Sequence, residues 1–340
     1  MRRLKYKTVL AGCGSMGTRW LEYALKRNDV DLVALVDVQP EKALEAMQRF
    51  GLKLPVYEAV AEAVASEGVD LLLDTSIPEA HAANAITAME HGANVMMEKP
   101  MALSMEDAVR LINVSDRTGR SCAVMQNRRY TKEIRALKAE LDTGRIGPPG
   151  FVTADFFLGP RFGGFREMMA HPLLIDMAIH TFDAARYLIG SDPMAVYCHE
   201  FNPDGSWYQG NSSAVCIFEF SCGAVFSYNG SWSAVGHSTS WEGAWRLVGP
   251  KGTMLWDGDH EPVYEGADAL ESASAAGRQG SWYGPERREA CLDEMFDSLK
   301  SGKRSETDIR HNIHSLAMTL GAVESAKRQA KVWLPELSCM

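Results

Sequence analysis

The chain has 340 residues, 46% of them hydrophobic, with a formal net charge of −9; that is long enough for two packed domains, and with no Lys/Arg-rich segment it argues against a nucleic-acid partner. Gly12, Gly14 and Gly17 interrupt any signal-like apolar core near the start, and no run approaches the roughly 18 apolar residues of a membrane span. Seven cysteines without a CxxC or a Cys/His cluster at ligand spacing lead us to expect a reduced, cytoplasmic protein with no metal.

"TVLAGCGSMGTRWLEYAL" predicts an apolar strand, a Gly-x-Gly-x-x-Gly turn and a helix. Gly12 permits the tight turn, Gly14 lets backbone approach a pyrophosphate, and Gly17 lets helix pack on strand. Ser15 and Met16 open the helix, whose N–H groups and positive dipole end face the phosphates. A second strand ends in Asp37, 20 residues after Gly17, where a carboxylate reaches adenosine ribose hydroxyls. Such a carboxylate repels a 2′-phosphate, and Val38-Gln39-Pro40 supplies no arginine to hold one, so NAD is favoured over NADP. The bland reading is that Asp37 caps the helix beginning near Pro40.

The alternation continues. Helices stop at Gly51 and Gly68; a third strand, a turn at Ser76-Ile77-Pro78 and a helix containing His81 follow, then "ANVMMEKP" and another helix. This rhythm predicts a doubly wound parallel sheet over residues 1–125, with ligand at the carboxyl ends of its strands. Ser76, Pro78, Glu98 and Lys99 lie at such ends.

Residues 126–340 read as an α+β domain. Asn127-Arg128-Arg129-Tyr130 precedes a helix, and from residue 151 aromatic and β-branched runs with Gly turns predict a large, mostly antiparallel open sheet, with a hairpin at Ser221-Cys222-Gly223. Several strands, carrying Phe218, Phe220, Phe226, Trp232 and Trp245, read as apolar on both faces, which points to burial by an oligomeric partner. One helix, "HPLLIDMAIHTFDAARYLIG", sets Asp176 and His180 four residues apart on one face. His180 is a candidate proton acceptor that Asp176 can orient, although a lone histidine on an apolar helix is more often a core residue. The Gly-rich loop before it brings Arg161, Arg166 and His171 to the expected pocket mouth; these arginines either grip substrate or lie on the surface. Residues 257–286 read as a long loop with Trp282 and Tyr283 as pocket aromatics.

The motifs "GCGSMG", "TSIPEAHAANAITAMEHGANVMMEKPMA", "DMAIHTFDAARYLIG" and the closing "SGKRSETDIRHNIHSLAMTLGAVESAKR" together resemble the Gfo/Idh/MocA family of oxidoreductases over essentially the whole chain. The resemblance implies that Lys99 lies beside the nicotinamide ribose and the substrate hydroxyl, favouring an alkoxide-like oxygen. It implies that His81 lies beside the cofactor, that Asp176 and His180 line the substrate pocket, and that Arg128 and Tyr130 contact substrate. Pro100 rigidifies the strand end, with a cis bond as an option. The free face of the second sheet is expected to form a homodimer or homotetramer.

The leading expectation is an NAD-dependent dehydrogenase of a sugar, cyclic polyol or derivative. A second is glycoside hydrolysis by transient oxidation, elimination and re-reduction, with Tyr130, His171 or Asp183 as the extra base. A third, a nucleotide-binding sensor, has no use for a proton acceptor beside a hydride acceptor.

Overall fold

The computed structural model describes residues 5–266, 273–274 and 284–337. By contacts the chain forms two units, one of Met1–Met125 with Cys291–Ile313, the other of Gln126–Ala290 with the segment from His314 onward.

In the first unit, strands β1 (Tyr6–Ala11), β2 (Val30–Val36), β3 (Val56–Tyr57), β4 (Leu71–Asp74), β5 (Asn94–Met97) and β6 (Cys122–Val124) alternate with helices α1 (Ser15–Lys26), α2 (Pro40–Phe50), α3 (Val60–Glu67), α4 (Pro78–Glu90) and α5 (Met105–Thr118). All pairings are parallel, in the order β3-β2-β1-β4-β5-β6. Leu71, Leu72 and Leu73 are all buried, as expected of strands covered on both faces. The punctuation follows local chemistry. Pro40 and Pro78 open α2 and α4, where a missing N–H costs nothing, Ser104 caps α5 by accepting from Asp107 N at 3.0 Å, and Gly51 ends α2 at φ +67°. The order reverses between β1 and β4, which defines the switch-point crevice.

The second unit opens with a 3₁₀ turn (Asn127–Tyr130) and α6 (Lys132–Asp142). Strand β7 (Phe151–Phe157), the short α7 (Phe165–Met168), a π turn (Leu173–Ala178) and α8 (Ile179–Ile189) follow. Next come β8 (Pro193–Phe201), β9 (Ser213–Phe220), β10 (Val225–Ser231), β11 (Ala244–Gly249), β12 (Gly252–Trp256), β13 (Val263–Gly266) and β14 (Ala273–Ser274). Helices α9 (Arg287–Ser301) and α10 (Ile309–Arg328) and strand β15 (Val332–Trp333) complete the chain. The sheet runs β14-β13-β12-β11-β7-β10-β9-β8-β15, antiparallel except for the β7–β10 pair. The α/β class and the two sheet types are those expected, and the hairpin at residues 221–223 joins β9 to β10.

Three expectations are refined. By contacts, residues 291–313, which the sequence reading placed within 126–340, group with the first unit. Phe296 lies under the Arg27 guanidinium at 3.8 Å, and Asp293 accepts from Tyr23 at 2.5 Å and from Arg27 at 2.8 Å. Second, the sheet is apolar on both faces as expected, with the five named aromatics on the inner one. Phe218, Phe220, Phe226, Trp232 and Trp245 all belong to one core with Phe182 of α8, because alternate strand residues share a side and Phe226 pairs in register with Phe218. The opposite face instead exposes Tyr197, Phe201, Val215 and Ile217. Third, the expected loop at 257–286 contains β13, hydrogen-bonded to β12; Trp282 and Tyr283 lie outside the described residues.

Candidate active site

In the first unit the glycine loop after β1 divides its roles physically. A Cβ on Gly12, at φ +84°, would lie 2.5 Å from the Thr75 carbonyl, and one on Gly17 would lie 1.8 Å from the Gly12 oxygen. Both are demanded by the fold. A Cβ on Gly14 would meet nothing within 4 Å, so the packing around it leaves open space there. Gly14 caps α1 without a side-chain hydrogen bond, and the first N–H groups of the helix, at Ser15, Met16 and Gly17, have no intrahelical acceptor. Such a helix start can cradle an anion. On one side of it, Asp37 follows β2, its carboxylate accepting from Cys13 N at 2.7 Å and Gln39 N at 2.9 Å. Burial and the Asp37 charge push the neighbouring Cys13 thiol up to about 12, so that sulfur stays protonated.

On the other side, Asp74 ends β4 and organises the turn after it. Its Oδ1 accepts from Ser76 N at 3.0 Å and Ser76 Oγ at 2.6 Å, and Oδ2 meets His81 Nδ1 at 3.2 Å. Both Asp74 and His81 are buried. His81 thus supports the turn that carries Ser76 and Pro78 rather than lying exposed on it. Beyond β5, Glu98 N donates to Asp74 O at 2.8 Å, and Trp20 Nε1 donates to the Glu98 carboxylate at 3.0 Å. The Lys99–Pro100 peptide is cis.

In the second unit, the loop residues settle differently. Arg166 Nε donates to Asp176 at 2.7 Å, so structure joins two residues named separately from sequence. His171 Nδ1 lies 2.6 Å from the buried Glu200 carboxylate. Arg161 lies instead over the Trp207 ring at 4.1 Å. Asp176 sits in the π turn and His180 in α8. A π turn needs more than four residues and an α turn 3.6, so the step from Asp176 to His180 comes to nearly one full turn, and the two share a side.

Arg128 and Arg129 are adjacent but go separate ways. Arg129 donates from Nε and Nη2 to Asp183 at 2.9 and 2.5 Å, all buried, with Ser315 Oγ adding a bond at 2.7 Å. Asp183, considered from sequence as an extra base, has its oxygens taken up by this pair. Arg186 beside it is lowered to about 10 by burial and by the charge of Arg129. Arg128 donates to the Trp241 carbonyl and, at 2.8 Å, to Glu242. Arg128, His180, Thr181, Glu242 and Trp245 line one pocket. Tyr130 is buried, with the Arg135 guanidinium 4.4 Å over its ring.

Sequence reasoning did not single out Asp74, Glu200 or Glu242. Asp74 had a usable signal, an acid ending an otherwise apolar strand. Glu200 ends a long strand and Glu242 lies in a loop, with nothing local to mark either.

Residues 6–126 match the family model described as an oxidoreductase family with an NAD-binding Rossmann fold, and residues 134–255 match the Gfo/Idh/MocA C-terminal domain. The chain belongs to the Gfo/Idh/MocA oxidoreductase family. It is 28% identical over 339 residues to an uncharacterized protein of Sinorhizobium fredii, covering 95% of this chain and 94% of the relative. It is 25% identical over 340 residues to the myo-inositol 2-dehydrogenase of Thermotoga maritima, covering 96% and 98%. Its fold matches an oxidoreductase from Agrobacterium radiobacter crystallised with NAD+, L-tartaric acid and magnesium, at TM-score 0.87, 22% identity and 99% coverage of both chains. NAD is the cofactor of this family's Rossmann domain, and the cradle at Gly14, flanked by Asp37, fits it. Among the described residues no helix is long and apolar enough to cross a membrane.

Proposed function

We propose that the protein transfers hydride between NAD and a hydroxyl of a sugar, a cyclic polyol or a derivative of one. The observation that carries this reading is the position of Glu98-Lys99-Pro100 at the carboxyl end of β5, beside the switch point and held by Asp74 and Trp20. Bound NAD supplies the hydride-accepting carbon. Gly12, Gly14, Ser15, Met16 and Gly17 hold its pyrophosphate, Asp37 its adenosine ribose, and the turn with Ser76 and Pro78 its other half. His180 accepts the hydroxyl proton, Asp176 orients it while anchored by Arg166, and Lys99 stabilises the oxygen as negative charge develops. Arg128, Tyr130, Arg161, Arg166 and His171 supply substrate contacts. The reading includes a cytoplasmic homodimer or homotetramer, supported by the apolar residues on the open face of the second sheet.

The test is absorbance at 340 nm with NAD and a panel of sugars and polyols. Lys99→Ala and His180→Ala should each lower kcat by roughly 10²–10⁴ while NAD binding persists. Full activity in either variant, or no NAD binding by the wild type, would refute it.

A further inference from the structure

We propose that Glu200 is the positioning residue of His171: it holds the imidazole in the tautomer that carries its hydrogen on Nδ1, and so presents Nε2 as a hydrogen-bond acceptor for a substrate hydroxyl. This rests on the substrate contact assigned to His171 above.

The Glu200 side chain is 1% exposed and the His171 side chain 21%. Glu200 stands on β8 between the exposed His199 and Phe201, so strand alternation turns it inward with Cys198. Its Oε2 lies 2.6 Å from His171 Nδ1 and accepts from Asn211 Nδ2 at 3.3 Å. The backbone fixes both partners. Gln209 N donates to Glu167 O at 2.8 Å, Asn211 N to Ala170 O at 3.0 Å, and Ile175 N to His171 O at 3.0 Å. A Cβ on Gly210, between the first two donors, would lie 2.2 Å from the Ala170 oxygen, so the two segments meet backbone to backbone.

The chemistry follows from the donor inventory. A carboxylate accepts and has no proton to give, so Nδ1 supplies the hydrogen. A neutral imidazole has a single N–H, which leaves Nε2 with a bare lone pair. Nε2 makes no hydrogen bond among the described residues. Two other histidine–carboxylate pairs show the contrast. His81 and Asp74 are both sealed in, at 1% and 0%, and His260 and Asp257 both lie in water, at 84% and 58%. His171 combines a buried acid with a reachable ring. A purely structural tie has no need of a carboxylate there. Glu200 Oε1 is buried with no partner among the described residues, a cost to stability that is expected where the acid serves its neighbour's chemistry.

The experiment uses the full chain with isotope-labelled histidine and reads the imidazole nitrogen shifts by NMR in weakly alkaline buffer. The His171 signals are assigned from their loss in His171→Phe. The wild type should show the Nδ1–H tautomer, and Glu200→Leu, which keeps the bulk and removes the acceptor, should lose that preference. With NAD and the sugar or polyol found by the absorbance panel, Glu200→Leu should raise KM about tenfold, with a smaller effect on kcat. In the His171→Phe background the same change should cost nothing further, because Glu200 acts through His171. An Nε2–H tautomer in the wild type, an unchanged tautomer or KM in Glu200→Leu, or additive losses in the double variant overturns the proposal. The wild-type tautomer decides by itself if Glu200→Leu does not fold. The expected tautomers without any turnover support the proposal and count only against the dehydrogenase reading.

Discussion

Asp183→Asn should destabilise the second unit far more than a surface change, because it removes the carboxylate of a buried ion pair. Asp183 is fully buried and accepts both Arg129 bonds and the Ser315 hydroxyl. Asparagine keeps the volume and one acceptor oxygen but removes the carboxylate charge that faces the buried Arg129 guanidinium. Removing one partner of a buried pair costs about 3–5 kcal/mol. At roughly 2–4 °C per kcal/mol for a unit of this size, the melting temperature should fall by on the order of 10 °C at neutral pH. The effect has a pH signature. Burial pushes the Asp183 carboxyl up, but the charge and hydrogen bonds of Arg129, aided by Arg186 and Ser315, outweigh it and hold the group below its usual range. A folded value below the unfolded one means that the contribution is fully present above about pH 4, the unfolded carboxylate value, and is lost as pH falls through the folded value. Melting curves by circular dichroism at pH 7 and pH 3 should therefore show a wide gap between wild type and variant that narrows in acid. A variant that melts like the wild type at pH 7, or a gap that widens in acid, would refute the reasoning.

Two glycines of one loop should part company. Gly14→Ala should leave the melting temperature without NAD unchanged, since its Cβ meets nothing within 4 Å, yet weaken NAD binding by calorimetry; Gly17→Ala should lower both, since its Cβ would lie 1.8 Å from the Gly12 oxygen. Ile217→Lys on the exposed face of the second sheet should lower the mass measured by light scattering without changing the circular dichroism spectrum. An unchanged mass would place the assembly surface elsewhere.

What the sequence made legible was whatever is decided within a turn or a strand. The glycine loop, Asp37 and Glu98-Lys99-Pro100 are set by strand ends and helix starts, whose chemistry is local. The reading of these strands as apolar on both faces holds, and parity puts Phe218, Phe220 and Phe226 on the inner one. On paired strands the even-numbered residues here point one way, and Val215 and Ile217 the other. Nothing local marks the grouping of residues 291–313 with the first unit, since Asp293 is held by Tyr23, 270 residues away.

Ion-pair partners were the least legible of all, and the Arg128-Arg129 corner gives the reason. In a 3₁₀ turn, neighbouring side chains leave the axis about a third of a turn apart, so two adjacent arginines must serve different surroundings. Nothing local says which faces inward to Asp183 and which faces the pocket. Glu242, 114 residues from Arg128, arrives there only because the open sheet brings the loop before β11 to the pocket. A residue's chemistry can be read from its type, but its charge environment depends on which distant carboxylate the topology delivers. The Arg128 of this protein is a cation by sequence and half of an ion pair by structure.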